Sequence, residues 1–481
     1  ICFSRQRVIG KSEILLMSHK GKALRSGIWY TAANFLMKSI ILITTPIFTR
    51  IMTHADFGMY NNFTSWMSTF SIFLTLNLDS TFISARRDFQ RDFDRYVLST
   101  LVLSTVWTLV FYVLALFIKT PLVNLTGLEF DHLVLMGLYL LFLPAVSQFQ
   151  VMERYNFKYK ISVGISVFIS VSSVLLSLLF ISYMKDPLLG RIIGSIIPMI
   201  TIGIILYMVI LYKGKSVDIR YWKYALPIAL PYIPHLLSMT LLNSADKMMI
   251  TRIRGAEENA LYSVAYTCGA IVSMLISSMN MAFSPWLAEE LGDRNYLEIR
   301  KTSKSYILVF ALLAVGLMLI SPEVLLLMGG KDYLEAKYVM PPVAFGCVCQ
   351  FLYTMYVNVE QFYKKTIGMA AASILAALIN YLLNRLFIPS YGYIAAAYTT
   401  LFSFAWLLFT HMLLVRRLRL LKIYPTRFVF AILIGLCVIT LCMNLLYSIA
   451  IVRYIVMAFY TIVIVNIVIK KKDLLIRLLV R

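Results

Sequence analysis

The sequence predicts an all-α integral membrane protein of about fourteen transmembrane helices. Three observations carry this. First, 60% of the 481 residues are hydrophobic and only 14% charged, against about 45–50% and about 25% in an ordinary soluble domain. Second, the apolar residues gather into runs of the roughly 20 residues that a helix needs to cross hydrocarbon, where barrel strands would alternate over about ten. Third, 33 of the 45 Lys and Arg fall in alternate connections, nine in the others and three inside runs. That asymmetry is the positive-inside bias, and it predicts an even number of spans with both termini cytoplasmic.

In chain order the spans cover 27–48, 59–83, 97–118, 132–152, 161–183, 191–212, 225–249, 260–285, 305–328, 339–361, 367–388, 392–415, 428–449 and 454–469. Span 1 carries a polar stripe of Tyr30, Asn34, Lys38 and Thr45 at helical spacing. Lys38 sits at its middle, where a charge costs on the order of 3 kcal/mol unless it meets water or a partner. Asp79 closes span 2. Span 7 contains Pro227, Pro231 and Pro234, each removing a backbone donor, so a bend or hinge is expected there. Pro231, His235, Ser238 and Asp246 fall on one face of span 7, and Asn243 and Lys247 on another. Residues 286–305 are expected to form a surface helix. In span 10, Gln350, Thr354 and Gln361 form a stripe beside Glu360. In span 11, Ser373, Asn380 and Asn384 do so beside Arg385.

Two turns match at an offset of 202: "TRIMTHADFGMY" (49–60) and "TRIRGAEENALY" (251–262). Each follows a span leaving the cytoplasm, and six spans separate them. This predicts parallel six-span repeats related by an axis along the membrane normal, with the last two spans outside the repeat. The expected organisation is a cytoplasmic segment 1–24, lobes 25–212 and 213–415, and 416–481 as spans 13 and 14 with a basic tail. The turn residues also have a structural explanation. Asp56 and Glu258 suit helix N-termini, and Arg50 and Arg252 can snorkel into headgroups.

The +22 net charge follows the membrane topology, so it does not argue for nucleic acid. The six cysteines show neither a disulfide framework nor a metal set. No P-loop, dinucleotide turn or HExxH occurs, so no catalytic residue, metal or cofactor is expected. The in-span bases point to an anionic ligand. The acids Asp79, Asp246 and Glu360 are candidates for proton or sodium coupling.

Three stretches carry a family resemblance: "SGIWYTAANFLMKSIILITTPIFTRIMTHADFGMYN" (26–61), "NSADKMMITRIRGAEENALYSVAY" (243–266) and "MNMAFSPWLAEE" (279–290), with Pro285 ending span 8. From about residue 25 onward the chain resembles Wzx-type flippases of the multidrug/oligosaccharidyl-lipid/polysaccharide exporter superfamily. The resemblance implies two MATE-like six-helix lobes around a central cavity. It implies the flipping of undecaprenyl-pyrophosphate-linked oligosaccharide repeat units across a bacterial inner membrane, for O-antigen, capsule or exopolysaccharide. Membrane lipid and the polymerase and chain-length machinery of the same pathway would be its partners. Lys38 matches the basic cavity residue that meets the pyrophosphate; Asn34, Lys247, Arg385, Asn380 and Arg50 join it as substrate-binding candidates. The chain has fewer deep arginines than the family pattern. A cation-coupled drug exporter of the same fold is the main alternative. A membrane glycan polymerase is disfavoured by short external loops.

The topology is testable. With an impermeant thiol reagent applied from outside, Asn124→Cys should label and Gln90→Cys should not; strong labelling at position 90 would break the fourteen-span arrangement.

Overall fold

The computed structural model describes residues 36, 39–155, 159–363, 366–418 and 423–470, and among them there is helix and no strand. Ten helices in this set are long and apolar enough to cross a membrane. The protein is an all-α, multi-pass membrane protein. The difference from about fourteen lies in identifiable places. The apolar run Gly368–Arg417 holds two helices in one. Helices α1 (Ser39–Ile51) and the last apolar helix are short. Helix α2 (His54–Leu74) is diluted by Asn61, Asn62, Ser65 and Thr69.

The chain forms two compact units. The first comprises Ile1–Thr44 and Trp66–Ile233, the second Thr45–Ser65 and Pro234–Arg481. Residues 45–65, placed by sequence in the first lobe, therefore pack with the second unit.

The first unit holds α3 (Phe82–Asp88), α4 (Phe93–Phe117), α5 (Lys119–Thr126), α6 (Phe130–Tyr155), α7 (Tyr159–Tyr183), α8 (Pro187–Gly214) and α9 (Ile219–Ala229). Its core gathers aromatic rings: Phe82, Phe93 and Tyr96 are buried together with Tyr221. The buried hydroxyl of Tyr96 is satisfied by Thr81 at 2.6 Å. Between α7 and α8, Ser173 and Ser177 donate to the carbonyls of Ser195 and Arg191. Such small polar residues let helices approach closely where lipid supplies no hydrophobic drive. Asp218 caps α9, accepting from the backbone N–H of Arg220 at 3.0 Å. The Arg220 guanidinium, 2.6 Å away, holds the Asp218 carboxyl down at about 2.

The second unit holds α10 (Ile233–Arg254), α11 (Ala256–Gly292), α12 (Tyr296–Leu319), α13 (Ser321–Gly329), α14 (Met340–Phe362), α15 (Thr366–Arg417), α16 (Thr426–Leu446) and α17 (Ala450–Lys470). Several sequence expectations change. Span 2 ends at Leu74, and Asp79 stands in a 3₁₀ turn, Leu78–Thr81. Pro285 does not end span 8: α11 continues to Gly292, because neighbouring helices can satisfy the backbone groups that proline frees. Residues 286–305 are no separate surface helix; they are the end of α11, a turn and the start of α12. Span 9 breaks at Ile320, just before Pro322, and restarts as α13. In span 7 the helix passes from α9 through a 3₁₀ turn at Leu230–Tyr232 into α10, where Pro231 and Pro234 withhold backbone donors.

The first "TRI" serves α13. Thr49 donates to the carbonyl of Met328 at 2.7 Å and Arg50 to that of Leu327 at 3.1 Å, capping orphan carbonyls at that helix end. Thr53 and Asp56 bond reciprocally at the start of α2, with the Thr53 hydroxyl donating to Asp56 at 2.8 Å and accepting from its N–H. The Thr53 hydroxyl thus caps one orphan N–H of the first turn.

Gly58 meets the second matched turn. A Cβ there would lie 1.7 Å from the carbonyl oxygen of Ala256, while Asn259 donates to the Gly58 carbonyl at 2.8 Å. Gly58→Ala should therefore cost about 1–3 kcal/mol through overpacking. Thermal unfolding of the purified protein should show it, whereas Gly435→Ala, which meets nothing within 4 Å, should not lower the midpoint.

Candidate functional site

The second unit buries a connected set of polar side chains around Asp246, which is 1% exposed. Two helical hairpins build it. In the first, α10 and α11 reverse at Gly255, whose φ of 102° only glycine adopts readily. The reversal brings Tyr262 back level with Asp246. In the second, α15 reverses within itself at Gly392, φ 64°. Asn384 and Thr400 each lie eight residues from that corner, so the two arms bring them side by side. The corners are tied together by Glu258, which accepts from Arg254 Nε at 2.8 Å and from the N–H of Tyr393 at 3.1 Å.

The Asp246 carboxylate accepts three hydrogen bonds. Tyr262 donates to Oδ2 at 2.5 Å, Asn384 to Oδ1 at 2.6 Å, and Thr400 to Oδ2. The donors are themselves satisfied. Asn380 donates to the Thr400 hydroxyl at 3.0 Å and accepts from Asn384 at 3.1 Å. Asn384 accepts in turn from Thr399. Each amide thus uses both its nitrogen and its oxygen. Burying a carboxylate costs several kcal/mol; three bonds to a charged acceptor, each worth about 1.5–3 kcal/mol, are of a size to offset it. Thr400 also lines a cavity of about 170 Å³ with Asn243, Tyr266, Ser273 and Gln350, so one hydroxyl joins the buried acid to open space.

Sequence-predicted residues divide clearly. Asp246 and Asn380 come together in the network. Lys247 turns the other way, its Nζ 5.4 Å from the centroid of the Tyr266 ring, a cation–π distance. Arg385, next to Asn384, is exposed and does not enter the network. Arg50 spends its guanidinium on the carbonyls of Pro46 and Leu327. Glu360 is buried elsewhere, against His411. Lys38 and Asn34 lie outside the described residues. Sequence reasoning missed Tyr262, Thr399 and Thr400. The pair "TT" in an apolar span, equidistant with Asn384 from a glycine, was the available signal.

A family model described as polysaccharide biosynthesis protein matches residues 23–290, more than half of the chain. The chain belongs to the polysaccharide biosynthesis protein family. A second model, MatE, matches residues 231–386, which include most of the Asp246 network. The chain is 22% identical over 207 residues to Lsg locus putative protein 1 of Haemophilus influenzae. It spans about half the length of that curated relative, 51%, and the match takes in 41% of this chain. Among solved structures, it is similar to the lipid II flippase MurJ in an inward closed conformation, at 14% identity and TM-score 0.70, over 93% of this chain and 100% of that one. It is also similar to an inward-facing multidrug resistance MATE family transporter of the MOP superfamily, at 16% identity and TM-score 0.59, over 82% and 95%. This polysaccharide biosynthesis protein therefore has the fold of the MOP superfamily.

In this family member, Asp246→Ala would strand the Tyr262, Asn384 and Thr400 donors. Each unmet buried donor costs about 1–3 kcal/mol, so a loss of at least about 3 kcal/mol is expected, against a smaller one for Asp246→Asn, which keeps an acceptor oxygen. Thermal unfolding of the two purified variants checks the order; equal midpoints for both and the parent would mean that the network bears no load.

Proposed function

We propose that the protein is a flippase. It carries undecaprenyl-pyrophosphate-linked oligosaccharide repeat units from the cytoplasmic to the outer leaflet of a bacterial inner membrane, by alternating access, for surface polysaccharide assembly. The observation that carries this is the union of two findings: a polysaccharide biosynthesis family match over 23–290, and a fold similar to that of a lipid II flippase over 93% of the chain. The 33-to-9 split of basic residues supports cytoplasmic termini. The close approach of Gly58 to Ala256 and Ala260 supports paired repeats, because Gly58 and Ala260 are the counterparts at offset 202.

The substrate's pyrophosphate is met by Lys38 and Asn34, with Lys247, Arg385, Asn380 and Arg50 as further candidates. Lys247 is the best placed of these four, on α10 beside Tyr266. Span 7 bends at Pro227, Pro231 and Pro234 as the lobes rock; its 3₁₀ turn supports that. Asp246 is the candidate for ion coupling, its carboxylate linked to a cavity through Thr400; Asp79 and Glu360 are the other acids in question. A cation-coupled exporter of small molecules is the second reading. The MatE match over 231–386 favours it, because that region contains Asp246.

Lys38 separates the two. A pyrophosphate crossing the membrane needs a charge-assisted partner, and lysine supplies one as a mobile point charge. Lys38→Arg should keep much of the surface-glycan export in cells, while Lys38→Ala and Lys38→Glu should lose most of it at normal membrane levels of protein. Normal export by Lys38→Ala would remove the pyrophosphate role.

A further inference from the structure

A second buried acid stands apart from the Asp246 network. Glu360, near the end of α14, is fully buried, and His411, on the second arm of α15, is 2% exposed. Nδ1 of His411 lies 2.8 Å from Oε1 of Glu360. The other carboxylate oxygen, Oε2, is buried with no hydrogen-bond partner. The contrast with Asp246 is informative. Asp246 has three donors for its two oxygens. Glu360 has one, from a ring that can itself gain or lose a proton.

Among the described residues, the ion pairs give Glu360 no partner but His411. Among the described residues no Lys or Arg lies within ion-pair distance of Glu360. Tyr353, from α14, stacks against the His411 ring at 5.8 Å. His235, from α10, bonds to Ser373 at 2.8 Å. On α11, Glu289 is exposed and Glu290 half-buried, and neither pairs with His411. Arg300 and Lys304 of α12, Arg416 at the end of α15 and Arg427 of α16 are exposed, where water screens them. Among the described residues, then, each member of the pair is the other's ionisable partner.

We propose that Glu360 and His411 form a single proton-binding site. One proton, shared between Oε1 and Nδ1, makes the pair electrically neutral and stable in its apolar surroundings. Its release to water leaves a buried carboxylate beside a neutral ring, a state whose desolvation cost is several kcal/mol. The proton therefore leaves when water reaches the pair, which ties its departure to opening of the helices. Uptake is the reverse: hydronium gives its proton to the imidazole and becomes water. This rests on the transporter reading for its purpose, but proton binding itself requires no cargo.

The full-length protein in lipid nanodiscs, with ¹⁵N-labelled histidine, tests it. His411→Gln identifies the ring's signals. In the parent protein the His411 ring should carry both protons at neutral pH. In Glu360→Gln its nitrogen signals should shift to those of a neutral imidazole. A pH-indicator dye should register one proton fewer released per molecule from each variant on stepping from acid to alkaline pH. A His411 ring already neutral in the parent at mildly acidic pH, with no protonated Glu360 carboxyl seen in ¹³C-labelled protein, would overturn the site, and that measurement does not depend on either variant folding. Surface-glycan export should fall at least tenfold in Glu360→Gln cells. Normal export there, in cells where Lys38→Ala abolishes it, would overturn the site's role in transport while leaving the flippase reading intact. Normal surface glycan in cells lacking the protein altogether would instead count against the flippase reading.

Discussion

The carboxylate of Asp246 has to be paired with donors in a place without water, and the second unit is arranged around that need. Its three hydrogen bonds come from two different hairpins, so neither hairpin can satisfy the acid alone. The glycine corners at 255 and 392 set the register of each hairpin, and Glu258 ties one corner to the other. A shift of either arm by one residue would turn Asn384 or Thr400 about 100° away and leave the acid unpaired. The polar network and the helix packing therefore specify each other.

The same solvent argument explains the other polar contacts. Hydrocarbon offers no partners, so backbone and side-chain groups are satisfied inside the protein. Thr49 and Arg50 cap the end of α13. Arg453 does comparable work at the start of α17, reaching Glu323 at 2.5 Å and the carbonyl of Leu319 at 2.8 Å. Arg50, a candidate ligand in the sequence, is thus taken up by carbonyls. What stays available is different in kind: Lys247 over an aromatic ring, and the Glu360–His411 pair with its unpartnered oxygen. Transport needs groups of this second type, whose partners can change.

The sequence by itself determined the class of the protein. Apolar runs long enough to span lipid favour helices, and helices are what the described residues form. Family membership was legible too, because the turn at 49–60 and the Asp246–Lys247 pair are local patterns. Asp246, Asn380 and Asn384 could be listed as suspects, since a polar residue within an apolar span is conspicuous. Tertiary structure decided which suspects meet. Thr399 and Thr400 were passed over because threonine in a span usually bonds its own helix, and it is the reversal at Gly392 that turns them toward Asn384 and Asp246. Arg50 and Arg385 looked equivalent to Lys247, but Arg50 is held by the carbonyls of Pro46 and Leu327 and Arg385 is exposed. His411 gained its importance from Glu360, 51 residues away. Periodicity places a residue on a face of its own helix; what that face meets depends on contacts between distant helices, and these are fixed only when the whole bundle packs.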